Sequence, residues 1–122
     1  MENAHGRFVT KRIYDEPADD DGCRVLVDRL WPRGVSKERA GLELWLKDIA
    51  PSPPLRQEFA HMKERFDDFR EQYESELEQN PAVGQLLELA AREGKVTLLY
   101  GAKDPEVNHA RVLLEFLQSR HG

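Results

Sequence analysis

Lys95–Leu117 reads KVTLLYGAKDPEVNHARVLLEFL, and this stretch decides the fold class. Its first six residues, Lys95–Tyr100, form an apolar, β-branched run that suits a strand buried on both faces. Gly101 ends the run. Asp104-Pro105 follows, a capping residue with proline at the first helical position. Val107, Ala110, Leu113, Leu114 and Leu117 then recur at helical spacing and predict one inward-facing stripe. A buried strand leading into an amphipathic helix is a basic unit of a layered α/β domain.

Working outward, Arg24–Arg29 (RVLVDR) holds a second continuous run, Val25-Leu26-Val27, and is read as another buried strand. Trp31-Pro32-Arg33-Gly34 then breaks regular structure. Phe8–Tyr14 (FVTKRIY) alternates with period two and is a third strand. Only about nine residues join it to the second, which is short for a parallel crossover, so their relative direction stays open. Ser36 can cap a short helical turn before Gly41. Leu42–Leu46 suits a short strand or a helical turn. Ser52 with Pro53 opens a helix.

Leu55, Phe59, Met62, Phe66, Phe69, Tyr73 and Leu77 are spaced 4, 3, 4, 3, 4 and 4, which predicts one helix with an aromatic core face. Asn80-Pro81 starts the next helix, with Val83, Leu86, Leu87 and Ala90 inward and Gly94 as its stop. The expected architecture is a single compact α/β domain over 1–122, with an ordered core of about 8–118. Its sheet is small, largely parallel and flanked by helices.

Composition narrows the classes. The 122 residues carry 23 acids and 18 bases, a net charge of −5, and 39% are hydrophobic. That apolar content is too high for a disordered chain. The net charge makes the chain a poor general counter-ion for nucleic acid. No apolar run reaches the ~18 residues of a membrane helix, and polar Met1–Val9 reads as no secretory signal. A soluble, cytoplasmic protein is expected. One cysteine, Cys23, makes neither an internal disulfide nor a zinc site. His5, His61, His109 and His121 show no metal-ligand spacing. No cofactor motif is present, and the oligomeric state is left open.

The charge is uneven. Residues 24–39 hold five bases (Arg24, Arg29, Arg33, Lys37, Arg39) against two acids, a local +3, while 57–80 are net −5. In open α/β sheets, ligands bind beyond the carboxyl ends of the strands. Two strands end in unusual chemistry: one delivers Asp28, Arg29, Trp31 and Arg33, the other Tyr100, Gly101, Lys103 and Asp104, followed by Asn108 and His109. If these strands share one parallel sheet, both sets meet on one rim. A helix starting at Asp104 would add N–H groups that favour an anion. Asp28 or His109 would move a proton. Arg29 and Arg33 would clamp an anion. Trp31, Tyr100, Lys103 and Asn108 would contact the ligand, with Tyr100 and Asn108 orienting it. Asp28 can equally be a structural ion-pair partner, and both tryptophans can be packing residues.

The runs VLVDRLWPRG, WLKDIAPSPPLR, FREQYESEL and LLYGAKDPEVNHARVLLEFL together resemble the YeaO-like branch of the family catalogued as domain of unknown function 488. The resemblance extends from about Val9 to Leu117. It implies a compact bacterial α/β domain without an established function. Other branches carry L-L-C-x-E and then C-H-R in the last strand and helix. Here Tyr100 stands for the first cysteine, Asn108 for the second, His109 matches the histidine and Ala110 replaces the arginine. The thiol chemistry those cysteines suggest therefore does not carry over. The same relatives end the matching strand in valine-aspartate-x-arginine, similar to Val27-Asp28-Arg29.

These features point first to a small enzyme or ligand-binding domain for an anionic, nucleotide-like small molecule. A non-enzymatic interaction module or homodimer built on the aromatic helix is the alternative. A nucleic-acid-binding regulator fits the net charge least well.

Overall fold

The computed structural model describes residues 7–59 and 63–121. Met62 of the aromatic stripe, His5 and His61 lie outside the described residues, as does most of the Met1–Val9 segment.

Four strands form one sheet in the order β1-β4-β2-β3, and every pairing is parallel. They are β1 (Arg7–Arg12), β2 (Cys23–Leu26), β3 (Leu44–Trp45) and β4 (Lys95–Tyr100). β1 and β2 therefore run in the same direction, on either side of β4. Their link is short because it carries no long crossover helix. Ten residues extend to about 33 Å, enough to pass along a six-residue strand of about 20 Å. The link holds only a single 3-10 turn, Asp19–Asp21, and Thr97 Oγ1 of β4 donates to the Asp21 carbonyl at 2.6 Å.

Strand alternation divides the core in two. Phe8, Val25, Val27, Val96, Leu98 and Tyr100 point to one face. All the long helices pack there: α2 (Pro53–Phe59), α3 (Phe66–Glu78), α4 (Ala82–Glu93) and α5 (His109–His121). Leu26 and Leu99 point to the other face, under Ile13, Val35 and Ala40, with Trp31, Leu42 and Trp45 packed around them. The short helix α1 (Lys37–Ala40) lies on this side, capped by Ser36 Oγ, which accepts from the Arg39 N–H at 3.0 Å.

Two expectations about helices are corrected. The stripe from Leu55 to Leu77 is not one helix. α2 ends at Phe59 and α3 begins at Phe66, preceded by a 3-10 turn at Lys63–Arg65. The aromatic residues still meet, because Phe59 and Phe69 stack with centroids 4.4 Å apart, and Phe69 packs on Tyr73. A bent chain thus keeps the apolar spacing that one straight helix would show. The last helix starts at His109, not at Pro105. Asp104 instead closes a turn, its Oδ1 accepting from the N–H groups of Glu106 and Val107. Asn108 caps α5, its Oδ1 accepting from the Arg111 N–H at 2.9 Å.

No described helix is long and apolar enough to cross a membrane.

Candidate functional site

The carboxyl ends of β2 and β4 are adjacent, and Asp28 joins them. The ladder continues one step past β2, where the Val27 N–H donates to the Leu99 carbonyl at 3.0 Å. Asp28 comes next, and its Oδ2 accepts the Gly101 N–H at 2.9 Å. Its own carbonyl accepts from Trp45 Nε1 at 2.7 Å. A Cβ on residue 101 would stand 3.1 Å from Asp28 Oδ2, so glycine there lets the carboxylate approach.

α5 brings His109 to the same point. His109 Nε2 lies 3.0 Å from the Val27 carbonyl oxygen and 3.2 Å from Asp28 Oδ1. A nitrogen facing two oxygen acceptors carries the hydrogen. That hydrogen serves the carbonyl. Asp28 Oδ1, though close, is a buried atom without a hydrogen-bond partner among the described residues, as is Arg29 Nε. Arg29 reaches toward α2, where its Nη2 makes only long contacts to the Ala50 and Pro51 carbonyls, at 3.3 and 3.4 Å. Buried polar atoms are almost always bonded, so two without a hydrogen bond on consecutive residues mark an unusual place.

Asp28 and Arg29 line a cavity of about 230 Å³. The strand ends and α5 contribute Asp28, Arg29, Gly101, Ala102 and His109. The helical layer contributes Ala50, Pro51, Arg56, Phe59 and Phe69, and Leu30 forms an exposed lip. Tyr73 lies nearby, its ring 6.2 Å from that of His109. Burial, with Glu76 and Asp28 near it, pushes the Tyr73 phenol well above its ordinary 10.0. It stays protonated and donates to the Ile49 carbonyl at 2.7 Å.

Residues 7–121 match the family described as the inactive DUF488-N3 subclade. The chain belongs to the DUF488 family. It is 46% identical over 109 residues to the uncharacterized protein YeaO of Escherichia coli, covering 89% of this chain and 95% of that one. It is 40% identical over 114 residues to an uncharacterized protein of Mycobacterium tuberculosis, covering 93% and 96%. An uncharacterized protein of Mycobacterium bovis matches equally well. No solved structure matches.

Against the family pattern, the rim separates into two groups. Asp28, Arg29 and His109 line the cavity together. Tyr100, Asn108, Trp31, Arg33 and Lys103 are not among its lining residues. Tyr100 points into the core below the rim, and burial raises its phenol above 10.0. Asn108 is 1% exposed and is occupied at both ends, since its Nδ2 also donates to the Asp104 carbonyl at 2.7 Å. The expectation that Tyr100 and Asn108 orient a ligand beside Asp28 and Arg29 is therefore not met. The two positions that the resemblance to other branches of the family aligns with cysteines hold a core residue and a helix cap. Trp31 packs edge-on against Trp45, with centroids 5.3 Å apart, and donates to the Val35 carbonyl. Arg33 and Lys103 are exposed.

The basic island also disperses. Arg24 is buried against Asp21, and Arg39 donates to the Tyr14 carbonyl. Cys23 lies in the core, where burial raises its thiol above 9.0.

Sequence reasoning missed Arg56, Phe59 and Phe69 as site residues. Arg56 lies three residues before inward-facing Phe59, so both share one edge of α2. That spacing was the available signal.

Proposed function

We propose that this DUF488-family protein is a binding domain for a small anionic molecule, and that it holds its ligand without transforming it. The observation that carries this is the convergence of Arg29 and Arg56 on one cavity. Arg29 makes only long hydrogen bonds, and the Arg56 guanidinium has no hydrogen-bond or ion-pair partner among the described residues. Two guanidiniums with donors to spare suit an anion.

Several features favour holding over reacting. The subclade description carries the word inactive. The Nε2 hydrogen of His109 is committed to a backbone carbonyl, and Asp28 Oδ2 to a backbone N–H. The interaction-module alternative is weakened because Leu55, Phe59, Phe69, Tyr73 and Leu77, five of the stripe's described residues, are buried. Nucleic acid fits poorly, since the bases of 24–39 are spread over several unrelated contacts.

The test is a nitrogen-15 NMR titration with acetate, benzoate and inorganic phosphate. We expect at least one anion to shift the Gly101 amide and the Arg29 and Arg56 side-chain signals together at millimolar concentration. No shift with any of the three overturns the proposal.

A further inference from the structure

We infer that the occupant is a flat monocarboxylate with an apolar ring, of about the size of an aromatic acid; this rests on the anion-pocket proposal above. Charge comes first. Arg29, Arg56 and Asp28 all line the cavity, and the three together carry a single positive charge. One carboxylate balances it. A phosphate, at close to two negative charges, overshoots and must also approach the Asp28 carboxylate. Planar guanidinium forks match the two oxygens of a carboxylate.

The wall comes second. Phe59 and Phe69 stack at 24° and line the cavity, with Pro51 and Leu30 beside them. A ribose hydroxyl pressed against such a wall loses water and gains no partner. A ring loses nothing and gains contact.

Size comes third. A cavity of about 230 Å³ lies below the ~300–1,000 Å³ typical of drug-sized ligands. It exceeds the ~150 Å³ that accommodates benzene. It has room for one ring and its carboxylate, whereas a base, a sugar and a phosphate together would extend out of it into solvent. The nucleotide-like ligand expected from the charge pattern is thereby disfavoured.

The test compares benzoate, inorganic phosphate, adenosine monophosphate and benzyl alcohol on the full chain, by the same NMR shifts. Benzoate is expected to bind at least about tenfold more tightly than each of the other three. If either phosphate compound matches benzoate, this inference fails while the anion pocket stands. If benzyl alcohol matches benzoate, no anion is being read, and both fail. Arg56→Gln, on an exposed position, is expected to weaken benzoate about tenfold. Phe59→Leu is expected to weaken benzoate but leave acetate unchanged. Equal loss of both in Phe59→Leu, with the protein still folded, overturns the role of the aromatic wall.

Discussion

Two aspartates bracket the central strand β2, and they live differently. Asp21 lies just before it and Asp28 just after it. Asp21 is saturated. Lys11 Nζ approaches both of its oxygens, at 3.0 and 3.2 Å, and the Ala18 N–H and Arg24 Nη1 bond Oδ2, at 3.0 and 2.5 Å. Arg24 is itself 6% exposed, and its other nitrogens bond the Ala40 carbonyl. Among the described residues Asp28 accepts one hydrogen bond, from Gly101, and its second oxygen accepts none, with His109 Nε2 3.2 Å away. The same residue type, at opposite ends of one strand, closes a structural network in one place and leaves an open one in the other. An incompletely satisfied buried network is costly, so its presence at a cavity points to ligand binding rather than to stability.

The sharpest way to break this contrast is to remove Asp21. Asp21→Ala leaves the buried Arg24 cation without its carboxylate, a loss of about 3–5 kcal/mol. Urea denaturation checks it. A cost below about 1 kcal/mol would mean that Asp21 is no more structural than Asp28. Acid should show the same network. Burial raises the Asp21 pKa, but the Ala18 N–H, Lys11 and Arg24 outweigh it and hold the group below 3.8. A folded pKa below the unfolded one adds stability that is complete above 3.8 and is lost as pH falls through the folded value. Asp21→Ala should remove that part of the acid sensitivity.

A smaller effect is expected at the glycine beside Asp21. Gly22 has φ 66° and ψ −136°, a conformation that side chains rarely adopt. An added Cβ would stand 2.7 Å from the Lys95 carbonyl oxygen. That oxygen belongs to the central strand β4 and cannot move aside. Gly22→Ala should cost about 2–4 kcal/mol, measured as a lowered urea midpoint.

How much of this the sequence disclosed follows from how local each feature is. The strand Lys95–Tyr100 and the Ser36 cap were legible, because a buried run and a capping residue announce themselves within a few positions. So was the gathering of Asp28, Arg29 and His109 on one rim, because parallel strands put their carboxyl ends together. The break between Phe59 and Phe66 was hidden, because spacing records which residues face inward and not whether the helix between them is continuous. The start of α5 was misplaced by competition. Asp104 and Asn108 are both capping residues four apart, and the sequence does not say which one the helix uses. Arg56 was hidden for a different reason. It lines the same cavity as Arg29 through a tertiary arrangement in which Arg29 contacts the Ala50-Pro51 loop just before α2.

The smallest expected effect tests the open end of the contrast. Gly101 also faces an aspartate, but its backbone conformation is an ordinary one, and only the added Cβ matters. That atom would stand 3.1 Å from Asp28 Oδ2, a few tenths of an ångström too close. Here the neighbour is the end of a side chain whose other oxygen accepts no hydrogen bond among the described residues, although His109 Nε2 lies 3.2 Å from it. Asp28 can rotate slightly and lengthen its bond to the residue 101 N–H. Gly101→Ala should therefore cost less than about 1 kcal/mol by urea denaturation, while visibly shifting the residue 101 amide resonance. A cost equal to that of Gly22→Ala would show Asp28 to be as tightly held as Asp21. The unpaired oxygen would then belong to a rigid structural clasp between β2 and β4, and the case for a ligand at this rim would rest on Arg29 and Arg56 alone.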